Sequence, residues 1–202
     1  MNISRQIGWS NESNLLYQIL KQLTKLTGVI FNLTPKYKVY TALLSQSGGD
    51  NSQILSNSAL TVGVTYEIYS TDSDTVDFTN VGAPNNDLYT SFVATGTTPN
   101  SWGTNQNGEL RFNAGAPVVT VLENTIGNIW FTYDEVGYYS VNSNDLYTTN
   151  KTGVYLNSVD FTGSYEVYPA STNNITIGTA DSNRTESDNY LSNSFIEIRV
   201  YN

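Results

Sequence analysis

The chain has 202 residues and a net charge of −9, with 39% hydrophobic and 13% charged residues and neither Cys nor His. That length and apolar content suffice to bury a core, while the lack of Cys and His excludes disulfides, Cys/His zinc sites and Ser-His-Asp or Cys-His catalytic pairs. Charge is divided: residues 1–38 hold five of the nine Lys and Arg but one of the 18 acids, net +4, against −13 beyond them, and the acidic part lacks the basic stripe of a nucleic-acid binder.

The N-terminus reads Met1-Asn2-Ile3-Ser4-Arg5-Gln6. It has no apolar core of a secretory signal, and no run reaches the ~18 apolar residues of a membrane span. These features predict a protein made in the cytoplasm, with no export signal and no membrane insertion.

A helix is predicted next. Ser10, Asn11 and Ser13 are start signals, and Glu12 in the first turn suits the helix dipole. Leu16, Ile19, Leu23 and Leu26 follow a three-four-three spacing that continues back to Trp9 and on to Ile30, the seam of a short coiled coil. Leu15 and Leu20 broaden that face, while Lys21 and Lys25 lie outside it. Gly28 reads as the stop and Pro35 forbids continuation. A helix of about 15 residues is marginal alone in water and needs a partner. The partner is its own β body, another protein or copies of itself, and the stripe is wide for two strands, which favours a homotrimer.

From Tyr37 the period becomes two. Tyr37 to Leu44 reads as a strand ended by Ser47-Gly48-Gly49-Asp50. Leu60–Val62 and Val64–Tyr69 follow, then an Asp-rich turn, Phe78–Pro84, and a strand over Ser91–Thr95. Glu109–Phe112 is short. Pro117–Glu123 and Ile129–Tyr133 flank Thr125-Ile126-Gly127-Asn128, the pattern of a hairpin. Strands then read at Gly137–Val141, Gly153–Leu156, Ser164–Tyr168, Ile175–Ile177 and Phe195–Tyr201. The expected fold is mainly β: an N-terminal, coiled-coil-like helix before a β-sandwich or barrel-like body of many short antiparallel strands. Residues 1–36 form the anchor and oligomerisation segment, and residues 37–202 the β-rich body.

Candidate chemistry is sparse. Asp72, Asp74 and Asp77 share one loop, the kind of oxygen-rich segment calcium uses, but the Gly and distal Glu of an EF-hand are missing and a solvated turn is the simpler reading. Asp134 and Glu135 are adjacent, so on a strand they face opposite ways and cannot flank one glycosidic bond. Neither catalytic residues nor a metal or cofactor site is expected, and the chain does not read as an enzyme. Trp9, Trp102 and Trp130, with Tyr138 and Tyr139, could stack on sugars, although aromatics in β-proteins mostly pack in cores. Trp102, set among Asn, Gly and Thr, is the one expected to be exposed and is the candidate glycan contact.

Three stretches carry a resemblance: Tyr37 to Gly48, Gly115 to Phe131, and Phe195 to Tyr201. With Ile7 to Leu16 they resemble virion-associated proteins of bacteriophages that infect Bacteroidota, including crAss-like and flavobacterial phages. Residues 63–96, containing Asp77-Phe78-Thr79-Asn80-Val81-Gly82-Ala83, resemble a small β module recurring in phage structural proteins; residues 51–113 would then be an insertion. The resemblance implies a virion protein: a head fibre, spike or tail-fibre subunit, docked on capsid or tail proteins through its N-terminal segment. Its alternatives are a host-receptor or glycan-binding tip and a capsid decoration or cement protein.

Overall fold

In Tyr37–Ser45 every second residue, Tyr40, Ala42 and Leu44, is buried, as a strand covered on one face demands. The same rule runs through the computed structural model, which describes residues 11–33, 36–71, 75–158 and 163–202, with helical side chains described from residue 14 to residue 26. The chain divides into two units, Met1–Lys36 and Tyr37–Asn202.

The first unit is helix α1, Asn11–Leu33, of 23 residues. It passes through the expected stop at Gly28. A mid-helix glycine costs about 1 kcal/mol relative to alanine and is tolerated; the described helix runs to Leu33.

The second unit is mainly β, with 14 strands described, all paired antiparallel. In chain order they are β1 (Tyr37–Ser45), β2 (Ser52–Ser56), β3 (Thr65–Thr71), β4 (Val76–Asp77), β5 (Ser91–Val93), β6 (Ser101–Trp102), β7 (Gly108–Asn113), β8 (Val118–Asn124), β9 (Ile129–Glu135), β10 (Tyr138–Ser143), β11 (Thr152–Asn157), β12 (Ser164–Pro169), β13 (Asn174–Ala180) and β14 (Ser194–Tyr201). One four-stranded sheet has the order β11-β14-β1-β8 and a second has β12-β13-β10-β9. Their inner faces supply one core: Tyr40, Leu44, Ile196 and Ile198 from the first sheet, Phe131, Tyr139, Val141, Ile175 and Ile177 from the second.

Between β1 and β8 the chain leaves this core. Strands β2-β7-β3-β5 form a third sheet, β4 pairs with β6, and Tyr66, Ile68, Phe78, Phe92, Trp102 and Leu110 form a separate core. The neck of this excursion is closed: Ala114 N donates to Asn51 O at 2.9 Å and Asn113 Nδ2 to Asp50 Oδ1 at 2.7 Å. Gln46, 5% exposed, clamps it to the larger core. Its Nε2 donates to Gly48 O and Gly115 O, and its Oε1 accepts from Asn189 N.

Three local expectations change. Residues 124–128 are not a hairpin, because β8 pairs with β1 and β9 with β10. The turn carries the chain from one sheet to the other. Asn124 Oδ1 holds it by accepting from Ile126 N and Gly127 N, and buried Ile126 anchors it in the core. Thr79–Val81 is a 3-10 turn rather than strand, and Leu60–Val62 lies outside any strand with Leu60 buried. Strand β2 is a new element: its Ser-Gln-Ile-Leu-Ser sequence has too few apolar residues to announce a strand and is placed by pairing with β7.

Candidate functional site

On α1, the side chains of Leu15, Leu16, Ile19, Leu20, Leu23 and Leu26 are 46–64% exposed. Residues three and four apart share a helix face, so Leu16, Ile19, Leu23 and Leu26 line one stripe. Of the remaining seam residues, Trp9 lies outside the described residues, as does the side chain of Ile30.

Trp102 is not the exposed platform expected of it. It is 9% exposed and packs edge-on against Phe78, ring centroids 5.2 Å apart, in the core of residues 52–113. The antiparallel register of β6 with β4 sets Trp102 opposite Val76 and turns its ring inward. Polar sequence neighbours did not predict burial, because strand pairing decides which way the ring points. Tyr139 is likewise fully buried.

Of the candidate carboxylates, Asp77 and Asp134 are engaged in structural hydrogen bonds. In the Asp-rich loop, Asp72 and Asp74 lie outside the described residues. Asp77 accepts from the Thr79 hydroxyl at 2.6 Å, from Asn100 Nδ2 at 3.0 Å and from Thr79 N at 3.0 Å. These bonds, the Thr79 hydroxyl first, lower its pKa to about 2 and define a turn. Asp134 accepts from the hydroxyls of Ser140 and Thr132 on its own sheet. Among the described residues, no group of three acids is placed to hold a metal ion.

Sequence reasoning missed a different constellation, on the outer face of the β11-β14-β1-β8 sheet. Outward residues of β14 are Phe195, Glu197, Arg199 and Tyr201, and register sets Tyr155 opposite Glu197, Gly153 opposite Arg199, and Tyr37 opposite Tyr201. The Arg199 guanidinium lies 4.8 Å above the Tyr37 ring and pairs with Glu197. Hydrogen bonding to Tyr201, then to Glu197, raises the Arg199 pKa. The Tyr37 and Tyr201 rings are 5.4 Å apart. A Cβ built on Gly153 would meet nothing within 4 Å. A shallow hollow of about 250 Å³ results, lined by Gly153, Val154, Tyr155, Glu197, Arg199 and Tyr201. Tyr155 is 57% exposed and Tyr201 43%.

The outer face of the other large sheet is built differently. There Asn174 Nδ2 donates to Asn142 Oδ1, Asn142 Nδ2 to the Thr132 hydroxyl, and that hydroxyl to Asp134. This is a self-satisfied polar net. A second hollow, about 210 Å³, lies between residues 52–113 and β9, where Glu67 and Arg111 pair at 2.6 Å. No protein-family model, curated protein or solved structure matches the chain.

Proposed function

We propose that this protein is a self-assembling structural subunit of a phage virion, of the head-fibre, spike or tail-fibre kind. In this reading α1 forms the seam of a homotrimer and the β body, a β-sandwich carrying residues 51–113 as an inserted module, is displayed. The observation that carries it is the exposed stripe of Leu16, Ile19, Leu23 and Leu26 on a helix belonging to a unit of its own. Each such side chain gains roughly 1.5–3 kcal/mol on full burial. A seam shared by three copies therefore offsets the marginal stability of an isolated helix.

The virion assignment rests on the sequence resemblance, and on a basic N-terminal segment, net +4, in front of an acidic body. Such a foot suits docking on an acidic capsid or tail surface.

The test is the solution mass of the wild-type chain and of a variant carrying Ile19→Asp and Leu23→Asp. The wild type should scatter light as three copies of the 22.3 kDa chain. The double variant should be monomeric with an unchanged β circular-dichroism spectrum. An oligomeric double variant removes the helix as the assembly element. Electron microscopy of the particle with antibody against the β body would then locate the chain on head or tail; absence from the virion rejects the virion role.

A further inference from the structure

We propose that the hollow at Gly153 is a binding subsite for one neutral pyranose residue. The inference goes beyond the assembly role of α1 and stands whether or not the helix trimerises.

A pyranose has one flat face of C–H groups and a rim of hydroxyls, each both donor and acceptor. A site for it needs an exposed ring beside a donor and an acceptor spaced for neighbouring hydroxyls. Tyr155 and Tyr201 supply exposed rings on the two strands bordering the hollow. Arg199 donates and Glu197 accepts, and they are neighbours because residues i and i+2 of a strand share a face. Neither has to be reoriented: Tyr37 lies against the guanidinium and Glu197 pairs with it, which removes much of the ordering cost of binding.

Gly153 makes the depth. Any side chain there would stand opposite Arg199 and fill the space between β11 and the Arg–Glu pair. The backbone does not require glycine at this position, since its φ is not among the positive values. The glycine therefore leaves room rather than permitting a turn.

Charge selects against anions. Arg199 is paired with Glu197, which cancels its charge at the hollow, and residues 39–202 as a whole carry net −13, which disfavours approach of an anion over long range. A volume of about 250 Å³ accommodates one ring, with the chain of a longer glycan continuing over the exposed tyrosines.

The experiment is saturation-transfer NMR on the full chain with the methyl glycosides of glucose, galactose, mannose and N-acetylglucosamine, each at about 20 mM, a concentration that detects binding as weak as a millimolar Kd. Two variants accompany it. Gly153→Val fills the hollow with a residue that favours strands, and Tyr155→Ala removes a half-exposed ring. At least one glycoside should receive saturation from the wild-type protein, and both variants should weaken it at least tenfold while melting at the wild-type temperature or above for Gly153→Val. Transfer that persists undiminished in Gly153→Val overturns the site. Absence of transfer to all four glycosides overturns the ligand class, and if the variants then change the solution mass the face is an interface between copies. A Gly153→Val protein that misfolds leaves Tyr155→Ala to decide by the same tenfold criterion.

Discussion

Tyr40 presents a conflict that one atom resolves. Its ring is 1% exposed and packs near Phe131, centroids 6.3 Å apart, at the centre of the larger core. Its hydroxyl has no hydrogen-bond partner among the described residues. A buried unpaired hydroxyl costs about 1–3 kcal/mol, whereas removing it for a residue of the same shape is neutral or favourable. Tyr40→Phe should therefore raise stability by about 1 kcal/mol at pH 7, a rise of roughly 2–4 °C in melting temperature for a unit of this size. Burial also pushes the Tyr40 pKa well above its ordinary value. The folded state thus holds this proton more tightly than the unfolded chain, whose tyrosines titrate near 10. The contribution is fully present below about pH 10 and is lost as pH rises further. At pH 11 the hydroxyl costs the wild type about 1–2 kcal/mol more, so the advantage of Tyr40→Phe widens with alkalinity. Burial first of all raises Tyr139 and Tyr147 in the same direction. Together the three give an alkaline limb as steep as about 4 kcal/mol per pH unit. Thermal melts of both proteins between pH 7 and pH 11, with tyrosinate absorbance followed in parallel, test this. A Tyr40→Phe protein that melts lower at pH 7, or an advantage that does not grow above pH 10, refutes the reasoning.

Asp188→Ala should destabilise the body by about 3–5 kcal/mol, read from urea unfolding. Its carboxylate accepts from Tyr139 Oη at 2.9 Å, Tyr133 Oη at 3.0 Å and Gly137 N at 2.9 Å, and bonds to a charged acceptor are each worth about 1.5–3 kcal/mol without being additive. A loss under 1 kcal/mol would mean the loop at Asp188 is not fixed by these bonds. Trp102→Ala should cost about 3–5 kcal/mol in the same assay, as for any large core aromatic, and leave glycoside binding unchanged. Stability unaffected by this change would contradict the packing of Trp102 on Phe78.

Local alternation made much of the body legible. The buried faces of β1 and β14 follow directly from Tyr40-Thr41-Ala42-Leu43-Leu44 and Ile196-Glu197-Ile198-Arg199-Val200. What local pattern lacks is a partner for each strand. A turn between two strands has similar chemistry whether it folds back into one sheet or crosses to another, and the choice at residues 124–128 is made by β1, which claims β8 on one side and β14 on the other. The same long-range pairing hid the Gly153 hollow. Its residues come from β11 and β14, supported by Tyr37 of β1, and no motif links them along the chain. At Gly28 the local signal is too weak to decide: a single glycine costs about 1 kcal/mol, and α1 continues through it to Leu33.

The pairing also explains why the exposed tyrosines lie where they do. Of the strands ending the two large sheets, β8 and β9 are consecutive, and so are β11 and β12. Exposed strand edges invite pairing with other chains and have to be covered or broken. Residues 52–113 cover the first side: Gly63 O accepts from Val119 N of β8, and the Thr65 hydroxyl accepts from Phe131 N of β9. Val93 of the same segment enters the larger core. The β11–β12 side has different protection. Strand β12 carries Glu166 and ends at Pro169, which lacks an amide donor, and β11 carries the Gly153 gap beside Tyr155. A glycine in a strand weakens it, so its position in β11, at the margin of its sheet, has a stability cost that local backbone geometry does not offset. The hollow it leaves beside a preoriented Arg199–Glu197 pair is the compensating feature, which is why ligand recognition is assigned to this margin and assembly to α1.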